Sequence, residues 1–296
     1  TRECKEYLEN EMLSQGFGRD TAVIALGGGV VSDLGGFLAS TYCRGVPVIY
    51  LPTTFLAMVD ASIGGKTGVN TTFGKNMIGS FSHPKAVFID VDTLETLSDE
   101  EYFGGFIEVI KHMLLKGGEG YKNVSQSAKA LHGRDLSFLT TLIAENCAFK
   151  RDIVVEDELE SGVRATLNLG HTVGHAIELI SEHNIGHGAA VALGIIAEAK
   201  MAEYAGIMKG QCFLEIETLL SATLKELSFD VSGVTYLQLR DALVLDKKSR
   251  ALKPRFALLK SIGVPFIYDV NFTVELEEKF IKSGILYLLE GFKNPC

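Results

Sequence analysis

The chain has 296 residues, a formal net charge of −9 and a pI near 5.3, and 47% of its residues are hydrophobic. This length and composition allow a sizeable core and predict two domains. The acidic balance argues against nucleic acid as a partner. No apolar run is long enough for a membrane span, and the opening residues do not follow the pattern of a secretory signal.

The cysteines are scattered and form no C-x-x-C pair. They are Cys4, Cys43, Cys147, Cys212 and Cys296. This spacing argues against disulfides and against a cysteine-based zinc site, and it favours free thiols in a reducing compartment. We therefore expect a cytoplasmic protein.

Taken in chain order, the region before Ser98 predicts an α/β domain. Residues 1–13 have helical periodicity without an evident N-cap or an initiator Met, which indicates that an upstream segment is missing. Short, β-branched runs at residues 21–26, 46–51 and 86–91 are typical of buried parallel strands. Helical spacing follows the first run from Val30, and this order of strand, helix and strand predicts a parallel sheet.

After Asp99 the pattern changes to long amphipathic segments. Helices are predicted over residues 100–121, 136–157, 162–181, 188–204 and 212–227. Ser98 has the chemistry of an N-cap for the first of them. We therefore expect an α/β domain over residues 1–98 and a mostly helical domain over residues 99–296.

Three glycine-rich turns in the first domain suggest anion binding. Gly27-Gly-Gly29 ends a predicted strand and opens a helix, where dinucleotide pyrophosphates bind, although Ser32 replaces the third glycine of the usual motif. The turns Gly64-Gly-Lys66 and Gly74-Lys-Asn76 each present a lysine, which alone is usually a solvated loop residue. Asp60 stands where a P-loop needs its first glycine, so that class of nucleotide hydrolase is rejected.

Histidines are the main chemical signal of the second domain. His171 and His175 lie four residues apart, on one face of a predicted helix, and His187 follows in a Gly-His-Gly turn. Glu108, on an earlier predicted helix, can complete a carboxylate and imidazole site for a divalent ion. Spacing alone leaves open which two of the three histidines bind, and His112 competes by its nearness to Glu108. The histidines interpreted as solvent or packing residues are His83, His112, His132 and His183.

Further polar residues precede the histidines. Surface charge explains such residues in most helices, yet Arg164 and Asn168 continue toward His171 and His175 as one approximate stripe. A polar stripe among apolar positions is costly unless a ligand or a network satisfies it.

Six segments carry a family resemblance: residues 25–37, 51–54, 60–67, 74–79, 108–111 and 168–176. In this order, between Gly18 and about Lys260, they closely resemble the 3-dehydroquinate synthase family of the shikimate pathway. The resemblance implies a Rossmann-like NAD domain, N-terminally incomplete here, followed by a helical metal- and substrate-binding domain. It also implies a site in the cleft between the domains and a homodimer.

The resemblance further implies residue roles. The ligands of a divalent ion, zinc or cobalt, would be Glu108, His171 and His187, with His175 outside the set. Groups for the substrate carboxylate and hydroxyls would be Lys111, Lys150, Arg164, Asn168 and His175, with Glu160 a further polar position. Phosphate would bind Lys66, Asn76 and Lys247, and Arg44 from the partner subunit. NAD would contact Gly28, Gly29, Asp33, Thr53, Thr54, Asp60, Lys66, Lys75 and Thr96.

The implied reaction converts 3-deoxy-D-arabino-heptulosonate 7-phosphate, a small phosphorylated sugar acid, to 3-dehydroquinate and phosphate. It proceeds by transient oxidation with NAD, β-elimination, reduction and intramolecular aldol closure. The chain departs from the family in two respects. It lacks the N-terminal strands that help to seat NAD, and Ala189 replaces a Glu after His-Gly, which we expect to remove a carboxylate near the metal.

Three alternatives stay open from the sequence. One is another sugar-phosphate cyclase, forming a valiolone or deoxyinosose ring; Asn168 before Leu-Gly-His favours the dehydroquinate version. Another is a metal-dependent polyol dehydrogenase of related fold, which would release NADH. The last is an inactive remnant that binds ligand without turnover.

Overall fold

A computed structural model describes residues 1–72, 74–182, 184–245 and 253–292. The chain divides into two compact units, the first comprising Thr1–Tyr102 with Ala130–Asp152 and the second Phe103–Lys129 with Ile153–Cys296. The division inferred from the sequence, at residue 98, stays a prediction. Within the described ranges, no helix combines the length and the apolarity that crossing a bilayer requires.

The regular elements follow one another as α/β and then mainly α. The helices are α1 (Arg2–Ser14), α2 (Gly29–Thr41), α3 (Asp99–Lys116), α4 (Gly118–Ser125), α5 (Ala128–His132), α6 (Leu136–Glu156), α7 (His171–Ile180), α8 (His187–Tyr204), α9 (Gly210–Leu224), α10 (Tyr236–Leu245) and α11 (Glu278–Gly291). The strands are β1 (Val23–Gly27), β2 (Val48–Pro52), β3 (Lys66–Thr71), β4 (Gly74–Phe81), β5 (Ala86–Val87), β6 (Arg255–Phe256), β7 (Leu259–Ser261), β8 (Val264–Pro265) and β9 (Val274–Glu275).

The first unit contains a parallel sheet in the order β1-β2-β5, which confirms the predicted fold class. Ala25 of β1 packs with Val48 and Tyr50 of β2 and with Ala39 of α2 in one buried cluster. Because successive strand residues face opposite ways, the neighbours of Ala25 lie on the other face of β1, where Leu26 is 63% exposed. The α/β core therefore covers one face of β1.

Two sequence predictions in this unit need correction. The third strand is shorter than residues 86–91, because the side chain of Asp90 accepts the N–H of Asp92 and starts a 3-10 helix over Val91–Thr96. The first helix does have an N-cap, since Thr1 Oγ1 accepts from the Cys4 N–H at 3.2 Å. The predicted cap at Ser98 is confirmed by its bond with the Glu101 N–H at 3.3 Å.

The two lysine turns of the sequence belong to one antiparallel hairpin, β3–β4. Lys66 begins β3 and Lys75 lies near the start of β4. Gly79 is required in this hairpin, because a Cβ there would lie 1.9 Å from the carbonyl oxygen of Thr67. The hairpin was not predicted from the sequence.

The second unit is organised around α8, whose residues from Gly188 to Ala202 are almost all buried. Helices α7, α9 and α11 pack against it. The predicted helix over residues 162–181 is wrong in its first part. Val163–Asn168 is a 3-10 helix, and Gly170 adopts a left-handed φ of +78° immediately before α7. The chain therefore changes direction just before His171.

Candidate active site and metal centre

The first unit presents a helix N-terminus at the end of a parallel strand. Gly28 is the N-cap of α2, and the helix has no side-chain cap there. A Cβ on Gly28 would lie 3.0 Å from Thr54 Cγ2, and one on Gly29 would lie 3.1 Å from Ala61 Cβ. Side chains therefore lie close to this backbone on one side. The first N–H groups of α2 are of the kind that bind a pyrophosphate.

Two polar pairs lie in the same unit. Asn76 Nδ2 donates to Asp33 Oδ2 at 3.3 Å. Lys150 Nζ lies 2.6 Å from Asp60 Oδ1 and donates to the Asp60 carbonyl at 2.6 Å. Burial raises the pKa of Asp33 to about 6; the Asn76 amide opposes the rise and the Asp60 carboxylate adds to it. The predicted residues Asp33, Asn76, Asp60 and Lys150 are therefore brought into two pairs.

Helix α6 reaches this region through three consecutive carbonyls of the π-helix Ala57–Ala61. Cys147 Sγ contacts the Met58 oxygen at 3.4 Å, and Asn146 Nδ2 donates to the Val59 oxygen at 2.8 Å. Lys150 Nζ donates to the third of these carbonyls, that of Asp60. A π-helix leaves carbonyls out of the ordinary α-helical pattern, so side chains from another helix can satisfy them.

The other residues predicted for this unit lie on loops, ends and edges. Thr53 donates its N–H to the Gly27 oxygen at 2.9 Å, and Thr54 Oγ1 accepts the N–H of Ala57 at 3.2 Å. Lys66 and Lys75 are exposed on the hairpin, and Arg44 is exposed in a tight turn with a φ of +68°. Thr96 ends the 3-10 helix. Lys247 lies outside the described residues, and so does His183.

In the second unit, the predicted metal ligands converge. Glu108 Oε1 lies 3.7 Å from His171 Nε2 and 3.5 Å from His187 Nε2, and one donor atom from each residue lies within 4.8 Å of the others. Two ligands on one tetrahedral ion, each bonded at about 2.0–2.1 Å, would be about 3.3 Å apart. The donor set of one carboxylate and two imidazoles suits zinc or cobalt, so these residues fit such an ion.

The second nitrogen of each imidazole is also engaged. His171 Nδ1 lies 3.1 Å from the Leu169 carbonyl oxygen, which accepts a hydrogen bond from the protonated nitrogen. His187 Nδ1 lies 3.4 Å from Glu178 Oε1. With a metal ion bound, a proton on each Nδ1 would leave each Nε2 lone pair for the ion, the arrangement by which outer groups fix metal-binding histidines.

The electrostatics of the two imidazoles differ. Burial and the Lys111 ammonium lower the pKa of His171 to about 3. Burial acts in the same direction on His187, but hydrogen bonds with Glu108 and Glu178 outweigh it and raise the pKa to about 9. Near neutral pH, His171 is thus a neutral donor, whereas a cation entering the site would have to displace a proton from His187.

Lys111 is part of this centre. Its Nζ lies 2.5 Å from Glu108 Oε2, and both side chains are almost fully buried, on the same face of α3. Glu108 therefore presents one oxygen to the histidines and the other to an ammonium.

The approach of α3 to α8 depends on two glycines. A Cβ on Gly188 would lie 2.4 Å from both the Cα and the carbonyl oxygen of Gly104. Gly188 follows His187, and Gly104 precedes Glu108 by one helical turn. The absence of side chains here lets the carboxylate and the imidazole meet.

The remaining predicted residues of the second unit form local contacts. Asn168 Nδ2 donates to Glu160 Oε1 at 2.6 Å, and the buried Arg164 donates from Nη1 to the Glu158 carbonyl at 2.5 Å. His175 is exposed, with its ring centroid 5.2 Å from that of His171. The exposed His175 can also combine with Glu178 and His187, but Glu178 faces the other nitrogen of His187, which favours the set with Glu108.

Sequence reasoning missed two acidic residues near the histidines, Glu178 and Glu198. Glu178 is three residues after His175, and Glu198 is surrounded by apolar positions in α8. An acid within the apolar run of residues 189–199 is the signal that could have identified Glu198. Glu178 also gives His187 a carboxylate neighbour in a chain that has the buried Ala189 where the family usually has Glu.

Comparison with known proteins shows the family of this chain. Residues 1–104 match the family model described as 3-dehydroquinate synthase N-terminal, and residues 105–249 match 3-dehydroquinate synthase C-terminal. The 3-dehydroquinate synthase of Legionella pneumophila (strain Lens) is 43% identical over 278 residues, covering 92% of this chain and 73% of that protein. That of Geobacter metallireducens is 42% identical over 266 residues, covering 89% and 73%.

A solved structure of 2-deoxy-scyllo-inosose synthase with carbaglucose-6-phosphate, NAD⁺ and Co²⁺ has a TM-score of 0.88 and 28% identity, covering 98% of this chain and 79% of that one. The fold and the similarity together define an enzyme of the sugar-phosphate cyclase class. Within that class, the chain belongs to the 3-dehydroquinate synthase family, as the sequence resemblance predicted.

Proposed function

We propose that the chain carries out the full 3-dehydroquinate synthase reaction with NAD and a divalent metal ion, as a phosphate-eliminating carbon–oxygen lyase. The substrate would be 3-deoxy-D-arabino-heptulosonate 7-phosphate. The observation that carries the proposal is the convergence of Glu108, His171 and His187 in a chain of this family. A cytoplasmic location and a homodimer belong to the proposal as well.

When bound, NAD would accept and return a hydride, and zinc or cobalt would lower the pKa of a substrate hydroxyl. Glu108, His171 and His187 would hold the ion. Lys111, which neutralises the far oxygen of Glu108, also offers a buried positive charge to the substrate. The protein contributes mainly by positioning and by neutralising charge.

The substrate groups would be divided among polar side chains. The carboxylate and hydroxyls would contact Lys111, Lys150, Arg164, Asn168 and His175. Glu160, which accepts a hydrogen bond from Asn168, would be a further polar group of the site. The phosphate would contact Lys66, Asn76 and Lys247, with Arg44 contributed by a second copy of the chain. In an acidic protein, individually placed cations of this kind give an anionic substrate defined positions to bind.

NAD would bind the first unit. Its pyrophosphate would lie at the N-terminus of α2, against Gly28 and Gly29, for the reason that N–H groups there lack a side-chain cap. Further contacts would come from Asp33, Thr53, Thr54, Asp60, Lys66, Lys75 and Thr96. Lys150 Nζ and Asp60 Oδ1 already lie 2.6 Å apart. If NAD binds Asp60 or the substrate binds Lys150, that residue would have to contact the ligand in addition to its present partner.

A coupled phosphate-release assay on the heptulosonate phosphate tests the proposal. Turnover should require both NAD and a divalent ion, and a chelator should abolish it until Zn²⁺ or Co²⁺ is restored. NADH should not accumulate at 340 nm, because the hydride returns to the same substrate. Net NADH formation with simple polyols would instead indicate a dehydrogenase.

Two further outcomes would contradict the proposal. Cyclisation of another sugar phosphate in preference to the heptulosonate would assign a different cyclase. Binding of NAD and metal without phosphate release, or no binding of NAD by calorimetry, would indicate a remnant without turnover.

A further inference from the structure

Helix α7, which begins at His171, has no N-terminal cap of its own. The residue before it is Gly170, which has no side chain to accept the N–H groups of the first turn. Such groups need acceptors wherever a helix start is buried. Here the acceptor comes from another helix, since Glu198 of α8 receives the N–H of Gly170 at 2.7 Å on Oε2 and that of Val173 at 3.1 Å on Oε1.

The burial of Glu198 makes this contact consequential. Its side chain is 0% exposed, and a carboxylate in such a place is costly unless hydrogen bonds compensate for the loss of water. Both oxygens accept an N–H, as the charged form does, and they do so at the positive end of the α7 dipole. Glu198 and the N-terminus of α7 therefore stabilise each other.

Close helix packing gives Glu198 its reach. A Cβ on Gly194, one turn before Glu198, would lie 2.0 Å from the Gly170 carbonyl oxygen. A Cβ on Gly174 of α7 would lie 3.0 Å from the Ala190 carbonyl oxygen. Backbone thus lies against backbone along this contact, and the start of α7 has little freedom to shift.

His171 lies within the segment that Glu198 fixes. It stands between Gly170 and Val173, whose N–H groups Glu198 receives, and its Nδ1 contacts the Leu169 carbonyl at 3.1 Å. Metal–ligand distances tolerate only about 0.2 Å of error. A small displacement of the first turn would therefore move Nε2 of His171 out of reach of an ion shared with Glu108.

We propose that Glu198 is a positioning residue for the metal centre: by capping α7 from α8, it sets the place and direction of the His171 imidazole. This inference rests on the proposed metal-binding function. Glu198 is not one of the grouped donor residues and acts through the first turn of α7. A positioning role should therefore appear in metal binding and not only in stability.

The test uses the full chain, stripped of metal and titrated with Co²⁺. Glu198→Gln keeps the size of the side chain but places an amide donor where one of the two N–H groups needs an acceptor. Glu215→Gln, the same change at an exposed position of α9, is the matched control. Leu220→Ala, in the core of α9, controls for loss of stability, because it lowers the melting temperature without removing a hydrogen bond.

We expect Glu198→Gln to raise the Kd for Co²⁺ by about tenfold or more and to change the visible absorption of the bound ion. Glu215→Gln and Leu220→Ala should leave both unchanged. Glu198→Asp, which keeps the charge but shortens the reach, should fall between wild type and Glu198→Gln, and it carries the test if Glu198→Gln does not fold.

An unchanged Co²⁺ affinity and spectrum in Glu198→Gln, with a melting temperature lowered as in Leu220→Ala, would overturn the inference and leave the proposed function intact. A wild-type chain that binds no Co²⁺ would overturn the metal-dependent function, and the inference with it. The two failures are therefore distinguishable.

Discussion

The candidate groups of the two units are organised differently. In the second unit, Glu108 and Lys111 are almost fully buried, and Glu108 meets both His171 and His187 within 3.7 Å. In the first unit, Lys66 and Lys75 are exposed on a hairpin, and the glycines of α2 offer backbone groups. The difference suits the proposed ligands, since a metal centre would need donors fixed in advance, whereas an anion could be bound by backbone N–H groups and exposed lysines.

The largest effect should come from the preorganised centre. His187→Ala removes one of the three donors, and we expect turnover to fall on the order of 1,000-fold, about 4 kcal/mol of transition-state stabilisation. The fold should persist, because His187 is the first residue of α8 and its side chain is only partly buried. Phosphate release and bound metal, measured with circular dichroism as a check of folding, test this. Full activity with unchanged metal content would remove His187 from the site.

The glycine contact between α3 and α8 gives the next prediction. Gly188→Ala would place a Cβ 2.4 Å from Gly104, so the helices must separate. We expect a loss of about 1–3 kcal/mol in unfolding free energy. Metal affinity should fall as well, because Glu108 and His187 would move apart. Urea unfolding and Co²⁺ titration measure the two effects.

Gly233→Ala is the matched control for that substitution, since a Cβ there meets nothing within 4 Å. It should leave stability and metal affinity nearly unchanged. If Gly188→Ala behaved in the same way, the glycine contact would not be what sets the distance between the two ligands.

In the first unit, the ionisation of Asp33 should make the unfolding free energy depend on pH. Burial raises the pKa of Asp33 from 3.8 to about 6, so the folded state resists its ionisation. The unfolding free energy should therefore fall as pH rises from about 4 to 6 and stay lowered above that. Asp33→Asn should remove this step and raise stability at pH 7 by about 1–2 kcal/mol, allowing for partial exposure.

Urea unfolding between pH 4 and pH 7.5 measures the step, with the exposed Asp20→Asn as control. Because Asp33 is proposed to contact NAD, the more stable variant should also bind NAD less tightly. A pH profile of Asp33→Asn parallel to that of the wild type would show that Asp33 ionises normally in the folded state.

The smallest effect is expected at an exposed lysine. Lys66→Ala should hardly change stability and should weaken phosphate-bearing ligands about tenfold, the loss of one point charge worth about 1.4 kcal/mol. NAD affinity should change much less, because Lys66 is one of nine residues proposed to contact NAD. Calorimetry with both ligands, and with Lys85→Ala as an exposed control, tests the difference. Equal losses for NAD and phosphate ligands would contradict the assignment of Lys66 to phosphate.

Patterns of single residues predicted much of this molecule. Continuous β-branched runs located β1 and β2, and amphipathic spacing located α3, α6, α8 and α9, because periodicity records which face is buried. Sequence could not predict the break at Gly170 within residues 162–181, since a left-handed glycine and a cap from Glu198 are set by tertiary packing. The β3–β4 hairpin was missed for a related reason: its glycines and lysines are typical of loops.

For the candidate site, residue spacing predicted that the histidines lie close together, but it did not identify which two of them bind the metal ion. Only the fold places both Nε2 atoms toward Glu108 and gives each Nδ1 a different partner. The pairing of Lys150 with Asp60 was also beyond the sequence, because ninety residues separate them and neither belongs to a motif that names the other.

The seat of α6 on the π-helix has a consequence for how this protein can be divided. The chain passes between the units at residues 102, 129 and 152, so α6 returns to the first unit after the second has begun. A truncation at residue 102 would strip Asn146, Cys147 and Lys150 from the three carbonyls that they cover. Neither unit is thus a portable module. Transfer of the first unit to another protein would require α6 to be transferred with it. If the gene were split at residue 102, the two fragments should fold only when they are produced together.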